Sequence, residues 1–220
     1  MFIPRKSQKT VCAEAYRTLR TNIQYSSVDK KVSPIVVTSA EPAEGKSTIS
    51  GNVALTFAED NKKVLLVDCD LRKPSLHKKF RISNMLGLTD VLIGKEKVEN
   101  VVSKYDNNLD ILTSGKIPPN PAEMLGSQNM MDLLEELKKK YDIIVLDTAP
   151  LQAVTDAQIL STKVDGTILV IRANKTKKDS VLLAKELLNK VGANILGIVF
   201  NATEAERGKY YHYYGNSSAE

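Results

Sequence analysis

The sequence predicts an α/β protein built on a doubly wound, mainly parallel sheet, and three observations carry that expectation. Apolar runs of strand length alternate with amphipathic stretches of helical length. The runs lack polar alternation, as strands buried on both faces do. A glycine-lysine turn directly follows the first run, where ligands of such sheets bind.

Six runs read as strands in chain order: Ile35 to Val37, Val64 to Val67, Leu109 to Leu112, Ile143 to Leu146, Ile168 to Ile171 and Ile195 to Phe200. Helices are expected over about 47–59, 128–140, 155–162 and 178–191, the last placing Val181, Leu182, Ala184, Leu187 and Leu188 on one buried face. Ahead of the first strand, residues 13–26 read as an amphipathic helix. It carries Ala15, Tyr16, Leu19 and Ile23 on one side, while Glu14, Arg17 and Arg20 recur every third residue. At the other end, YYHYYG gathers four of the eight tyrosines.

Composition fits this frame. The chain has 220 residues, 42% hydrophobic and 26% charged, with 11 Gly and 8 Pro, which excludes a disordered, collagenous or disulfide-built protein. No Pro/Ser-rich linker interrupts Ser33 to Asn201, so one core with short tails is expected. Cys12 and Cys69 lie in no metal-ligand spacing and suit a reducing cytoplasm. The basic N-terminus lacks a signal peptide's apolar run, and no stretch approaches the ~18 apolar residues of a membrane span. Net charge is +5, but the charges are interspersed, so charge alone supports only a weak preference for acidic partners, and no nucleic-acid partner is expected.

The loop after the first strand, Ala40-Glu41-Pro42-Ala43-Glu44-Gly45-Lys46-Ser47-Thr48, matches the Walker A pattern with Ala in place of its first Gly. Such a loop wraps backbone N–H groups around a β-phosphate, its lysine reaches the β and γ oxygens, and its Ser/Thr hydroxyl ligates Mg²⁺. Two further strands end in acid: Val67-Asp68-Cys69-Asp70-Leu71-Arg72 and Leu146-Asp147-Thr148-Ala149-Pro150. Three carboxylates at one sheet edge repel strongly unless a cation such as Mg²⁺ joins them. The alternative, an Asp that caps the following turn, stays open, chiefly at Asp70.

AEPAEGKST, VLLVDCDLRKP, IIVLDTAP, GKIPPNPAEML and the tyrosine-rich end together resemble the bacterial tyrosine kinases, in particular the CapB-type cytoplasmic kinases of capsule and exopolysaccharide synthesis. The resemblance spans essentially the whole chain. It implies a P-loop NTPase fold like that of MinD and ParA, with residues 1–208 as kinase domain and 209–220 as a flexible tail. It also implies ATP and Mg²⁺, a CapA-type transmembrane modulator that activates the kinase and recruits it to the inner face of the membrane, and protein substrates of polysaccharide synthesis. Glu14, Arg17 and Arg20 match the family's ring-assembly motif, and Tyr210, Tyr211, Tyr213 and Tyr214 its autophosphorylated cluster. Ala43 and Ala149 depart from the family's usual Gly and Pro. A positive φ at Ala43 would weaken ATP binding.

In that frame Lys46 and Mg²⁺ supply most of the charge stabilisation of phosphoryl transfer. The resemblance assigns the catalytic base to Asp68, although an ordinary Asp, with a pKa near ~4, is a weak base for a phenol near ~10. Asp70 and Asp147 fall to Mg²⁺ with Ser47, in part through water, and Thr48 to the α-phosphate. Ala43, Glu44 and Gly45 complete the phosphate loop. Asn201 sits where the family contacts adenine, or forms a turn. Arg72 orients the acidic pair or reaches a phosphate.

From Asn201, the tyrosines lie within ~30–45 Å of extended chain, so both the chain's own site and a neighbour's are in range. An assembly helix favours reaction in trans. Four phosphotyrosines add roughly −6 to −8 charges, enough to drive assembled subunits apart. Against this stand a solvated face for the Glu14 helix and a merely adhesive tail. Two rivals remain: a MinD/ParA-type positioning ATPase, whose extra loop lysine is here Glu41, and a nucleotide-sensing scaffold. Lys73, His77, Lys78, Lys79 and Arg81 form a basic stretch, read either as a receiver of phosphates, acidic substrate or modulator, or as a solvated loop.

Overall fold

A computed structural model describes residues 10–27 and 32–203. The elements follow as α1 (Val11–Gln24), β1 (Ile35–Ser39), α2 (Lys46–Glu59), β2 (Val64–Asp68), α3 (Leu76–Phe80), α4 (Leu88–Leu92), α5 (Val98–Val101), β3 (Ser103–Asp106), β4 (Leu109–Leu112), α6 (Pro121–Gly126), α7 (Gln128–Lys138), β5 (Ile143–Asp147), α8 (Asp156–Ser161), β6 (Gly166–Arg172), α9 (Lys178–Lys190) and β7 (Ile195–Asn201). The seven strands among the described residues join one sheet in the order β3-β4-β2-β5-β1-β6-β7. Every pairing is parallel except β3 with β4.

The unbroken apolar runs are explained by burial on both faces. Residues alternate along β1, β2 and β5 between two cores. Ile35, Val37, Val64, Leu66, Ile143 and Val145 pack with Val53 and Phe57 of α2. Val36, Leu65, Val67, Ile144 and Leu146 pack with Met130, Leu133, Leu134 and Leu137 of α7. Phe57 is completely buried, and its truncation to Ala would cost about 3–5 kcal/mol. Local signals set the helix ends: the Thr10 hydroxyl accepts from Ala13 N at 3.2 Å to start α1, and Ser127 accepts from Met130 N at 3.3 Å to start α7.

Four features differ from the sequence reading. The last apolar run forms β7 at the sheet edge, where Ile198 and Phe200 stay 41% and 61% exposed, because only one neighbouring strand covers it. On α9 the buried face holds Ala184 and Leu188, while Leu182 points to solvent. On α1 the inward residue near the start is Ala13 rather than Ala15, which is exposed. The short strand β3 and the short helices α3 to α6 carry too little periodicity to be read in advance.

No helix among the described residues is long and apolar enough to cross a membrane. Cys12 and Cys69 are both free thiols.

Candidate active site

Strands β2, β5 and β1 are consecutive at the centre of the sheet, so their carboxyl ends deliver the glycine-lysine loop and two acidic ends to one place. Asp68 and Asp147 are register partners, and Val37 is paired with Asp147. The loop then enters α2, whose positive end faces the same point, although Thr48 N of its first turn already donates to the Gly45 carbonyl at 2.9 Å.

The loop's conformation is fixed from several sides. Ala43 adopts φ +64° and Gly45 φ +93°, both left-handed, so the condition for weakened nucleotide binding at Ala43 is met. A Cβ on Gly45 would meet Asn201 Nδ2 at 2.1 Å. Asn201 donates through Nδ2 to the Glu44 carbonyl at 2.8 Å, and its Oδ1 accepts from Ala202 N at 2.9 Å. It therefore braces the loop from the end of β7. The Glu44 carboxylate accepts from Glu41 N at 2.8 Å and from the Thr176 hydroxyl, which ties the loop to the segment between β6 and α9.

Lys46 Nζ donates to Asp70 Oδ2 at 2.9 Å and lies 3.4 Å from Ser47 Oγ. Burial alone would lower the Lys46 pKa, but Asp147, Asp70 and Asp68 outweigh it and leave it raised, so the ammonium stays charged. Asp70 also accepts from Lys73 N at 3.0 Å through Oδ1, so it caps its turn and pairs with the lysine at once. Asp68 is completely buried. Its Oδ2 accepts from Ser75 N and Leu76 N, both at 2.9 Å, and staples the start of α3. Burial, helped by Asp147, pushes Asp68 up to about 7 against the pull of those two backbone donors. Asp147 is likewise raised by burial, despite Lys46, Ser47 and Ser50. Ser50 Oγ lies 3.0 Å from Asp147 Oδ1, while Oδ2 is buried without a partner among the described residues.

A cavity of about 300 Å³ opens beside the loop, lined by Ala43, Lys46, Asp70, Arg72, Ala149 and Pro150 among others. Asp70 lines it and Asp68 does not. Arg72 bonds to neither member of the acidic pair it was expected to orient: Nε and Nη2 donate to the two carboxylate oxygens of fully buried Asp156, at 2.9 and 3.1 Å. That fork joins the loop after β2 to the start of α8.

The structure thus brings together Ala43, Glu44, Gly45, Lys46, Ser47, Thr48, Asp68, Asp70, Asp147 and Asn201. Glu14, Arg17 and Arg20 lie on α1. There Arg17 pairs with Glu14, and Arg20 turns inward to the Thr56 carbonyl at 3.1 Å and to Asp60 at 3.4 Å. Tyr210, Tyr211, Tyr213 and Tyr214, like the 208/209 boundary, lie outside the described residues. Sequence reasoning missed Ser50, Asp156 and the reach of Lys79, whose Nζ donates to Thr48 Oγ1 at 3.1 Å. Ser50 had a signal, one helical turn after Lys46; Asp156 had none, because its partner is 84 residues away.

Fold and loop together define a P-loop nucleotide-binding domain, and the AAA domain family profile matches residues 33–194. The chain is 46% identical to the tyrosine-protein kinase YwqD of Bacillus subtilis over 94% of its own length and 88% of that protein's. It is 37% identical to the putative tyrosine-protein kinase CapB of Staphylococcus aureus, over 98% and 95%. Among solved structures, the chimerical protein CapA2B2 superposes with a TM-score of 0.85 at 37% identity, covering 89% of this chain and 86% of that one. The chain belongs to the bacterial tyrosine-protein kinases, and it binds nucleotide.

Proposed function

We propose that this kinase transfers the γ-phosphoryl group of ATP to Tyr210, Tyr211, Tyr213 and Tyr214 of a neighbouring copy, and thereby regulates capsular or exopolysaccharide synthesis. The observation that carries the reading is Lys46 held at 2.9 Å from Asp70 on a cavity open to an incoming side chain.

The residues present fit Mg²⁺. Asp147 Oδ2 is buried without a partner among the described residues, Ser47 lies in the first turn of α2, and burial raises Asp147, a penalty that a bound dication would relieve. No cluster of three metal-ligating side chains occurs among the described residues, which suits an ion that takes one or two carboxylates and completes its shell with phosphate oxygens and water. Ser47, Asp70 and Asp147 would hold it, and it would neutralise charge developing on the phosphates.

The chain's own residues do the rest. Lys46 moves from Asp70 to the β and γ oxygens once nucleotide enters, and backbone N–H groups of Ala43 to Thr48 orient the phosphates, with Lys79 adding charge at Thr48. The phenolic oxygen attacks phosphorus, the bond to the β-bridging oxygen breaks, and ADP leaves. The phenol's proton passes to a carboxylate. Asp68 suits that task by its raised proton affinity, Asp70 by lining the cavity.

A CapA-type transmembrane modulator is the proposed activator. It would hold the kinase at the inner face of the membrane, and the likeness to a chimera named CapA2B2 supports such a partner. Assembly through α1, a ring, and its separation on multiple phosphorylation belong to the same proposal. Arg20, drawn inward to α2, would stiffen that face rather than reach across it.

Incubation with Mg-ATP and detection of phosphotyrosine test the reading. Tail labelling is expected, lost in Lys46→Met and in the four-fold Tyr→Phe tail, the latter with ADP binding intact. Release of free phosphate without labelling would instead indicate a positioning ATPase, and neither signal a scaffold.

A further inference from the structure

A second cleft, of about 620 Å³, continues outward from the nucleotide cavity and shares Arg72 and Lys73 with it. Its walls come from the loop after β2, from His77 and Lys78 of α3, and from Lys116 and Ile117 in the loop after β4. No carboxylate lines it. Among the described residues, no carboxylate is ion-paired with Lys73, Lys78 or Lys116, and His77 Nδ1 is buried without a partner. The walls are held in place. Asn84 donates to the Gly115 carbonyl at 2.9 Å and accepts from Gly115 N and the Ser114 hydroxyl, while Lys73 N is fixed on Asp70. Ile117, 63% exposed, offers the apolar surface that an aromatic ring needs.

We propose that this cleft is a phosphotyrosine subsite: it receives an already phosphorylated tyrosine of the incoming tail while a neighbouring tyrosine occupies the cavity at Lys46. The inference rests on the kinase reading above. Before reaction the cluster is no match for a basic cleft, since its close neighbours are Lys209 and His212 and residues 209–215 hold no acid. Each transfer then adds roughly −1.5 to −2 charges and three acceptor oxygens. The product therefore fits where the substrate does not. Within the cluster, tyrosines three or four residues apart span ~10–13 Å of extended chain, a reach suited to two adjoining sites. The first transfer is thus slow and later ones are speeded by retention of the tail.

The test uses the full chain with its four tail tyrosines changed to Phe and saturated with Mg-ADP, so that neither its own tail nor the nucleotide site competes. The probes are labelled peptides of residues 206–216, one unmodified and one phosphorylated at Tyr213. The phosphopeptide is expected to bind about tenfold more tightly. That ratio should collapse in Lys78→Gln/Lys116→Gln, with the two single substitutions each giving part of the loss should the double variant fold poorly. Equal binding of the peptides, survival of the ratio in these variants, or equal competition by inorganic phosphate overturns the subsite. Tail labelling by the unaltered chain is followed in parallel. Labelling without peptide discrimination removes the subsite and leaves the kinase; absence of labelling removes the kinase and the subsite with it.

Discussion

Asn201, the last residue of edge strand β7, donates its side-chain amide to the carbonyl of Glu44, so the sheet edge braces the turn that cradles phosphate. The contact is close enough that a Cβ on Gly45 would collide with it. A hydrogen bond of this kind contributes about 1 kcal/mol, so Asn201→Ala should weaken Mg-ADP binding about fivefold by calorimetry. Unchanged affinity would remove the brace from the account of nucleotide binding.

Ala43 carries a different load. Its φ of +64° costs an alanine about 1 kcal/mol more than a glycine, partly offset by glycine's freer unfolded chain. Ala43→Gly should therefore stabilise the protein by roughly 0.5 kcal/mol and tighten nucleotide binding, whereas Ala43→Val should do the reverse. Thermal melting with and without Mg-ADP reads both effects. A lower melting temperature for the Gly variant contradicts the strained cradle.

Asp68 makes stability depend on pH. Burial raises it from 3.8 to about 7, so the native state binds a proton that the unfolded chain has released. The associated stability is complete below 3.8 and is lost as pH rises through about 7. Asp147, raised by burial as well, acts in the same direction, while His77, lowered by burial and Lys78, acts in the opposite one. Melting curves of the nucleotide-free protein should fall across that window, and the slope should shrink in Asp68→Asn, which isolates the share due to Asp68. A profile that rises, or one that Asp68→Asn leaves unaltered, counts against a protonated Asp68.

Much of this was legible in the sequence for physical reasons. Runs such as Val64 to Val67 announce burial on both faces, and AEGKST before a helical stretch can be read because its chemistry is local. Whatever depends on distant partners was hidden. Phe200 looks like core and is exposed, since nothing local says that β7 is an edge. Arg20 looks like a free basic face and is drawn to Thr56, 36 residues away. Asp68 reads as an ordinary weak base, yet burial, with Asp147 beside it, raises its proton affinity against the pull of two backbone donors.

Arg72 and Asp156 illustrate the same point energetically. Asp156 is completely buried and Arg72 is 39% exposed, so solvent already screens one partner. Arg72→Ala leaves a buried carboxylate without its cation and should cost about 2 kcal/mol. Removing both partners should cost less than the sum of the single losses, with a coupling of roughly 1 kcal/mol in denaturant melts. Additive losses would mean that the fork does not hold the two loops together.

The central claim is that the Lys46 centre of one copy modifies the tyrosine end of another. Mixing two inactive halves reads it directly. A Lys46→Met chain keeps its tail tyrosines; a second chain keeps Lys46 but carries Phe at Tyr210, Tyr211, Tyr213 and Tyr214. With Mg-ATP, mass spectrometry should find phosphate on the tail of the Lys46→Met chain. An unlabelled tail in the mixture, under conditions where the unaltered protein labels itself, would contradict transfer between copies.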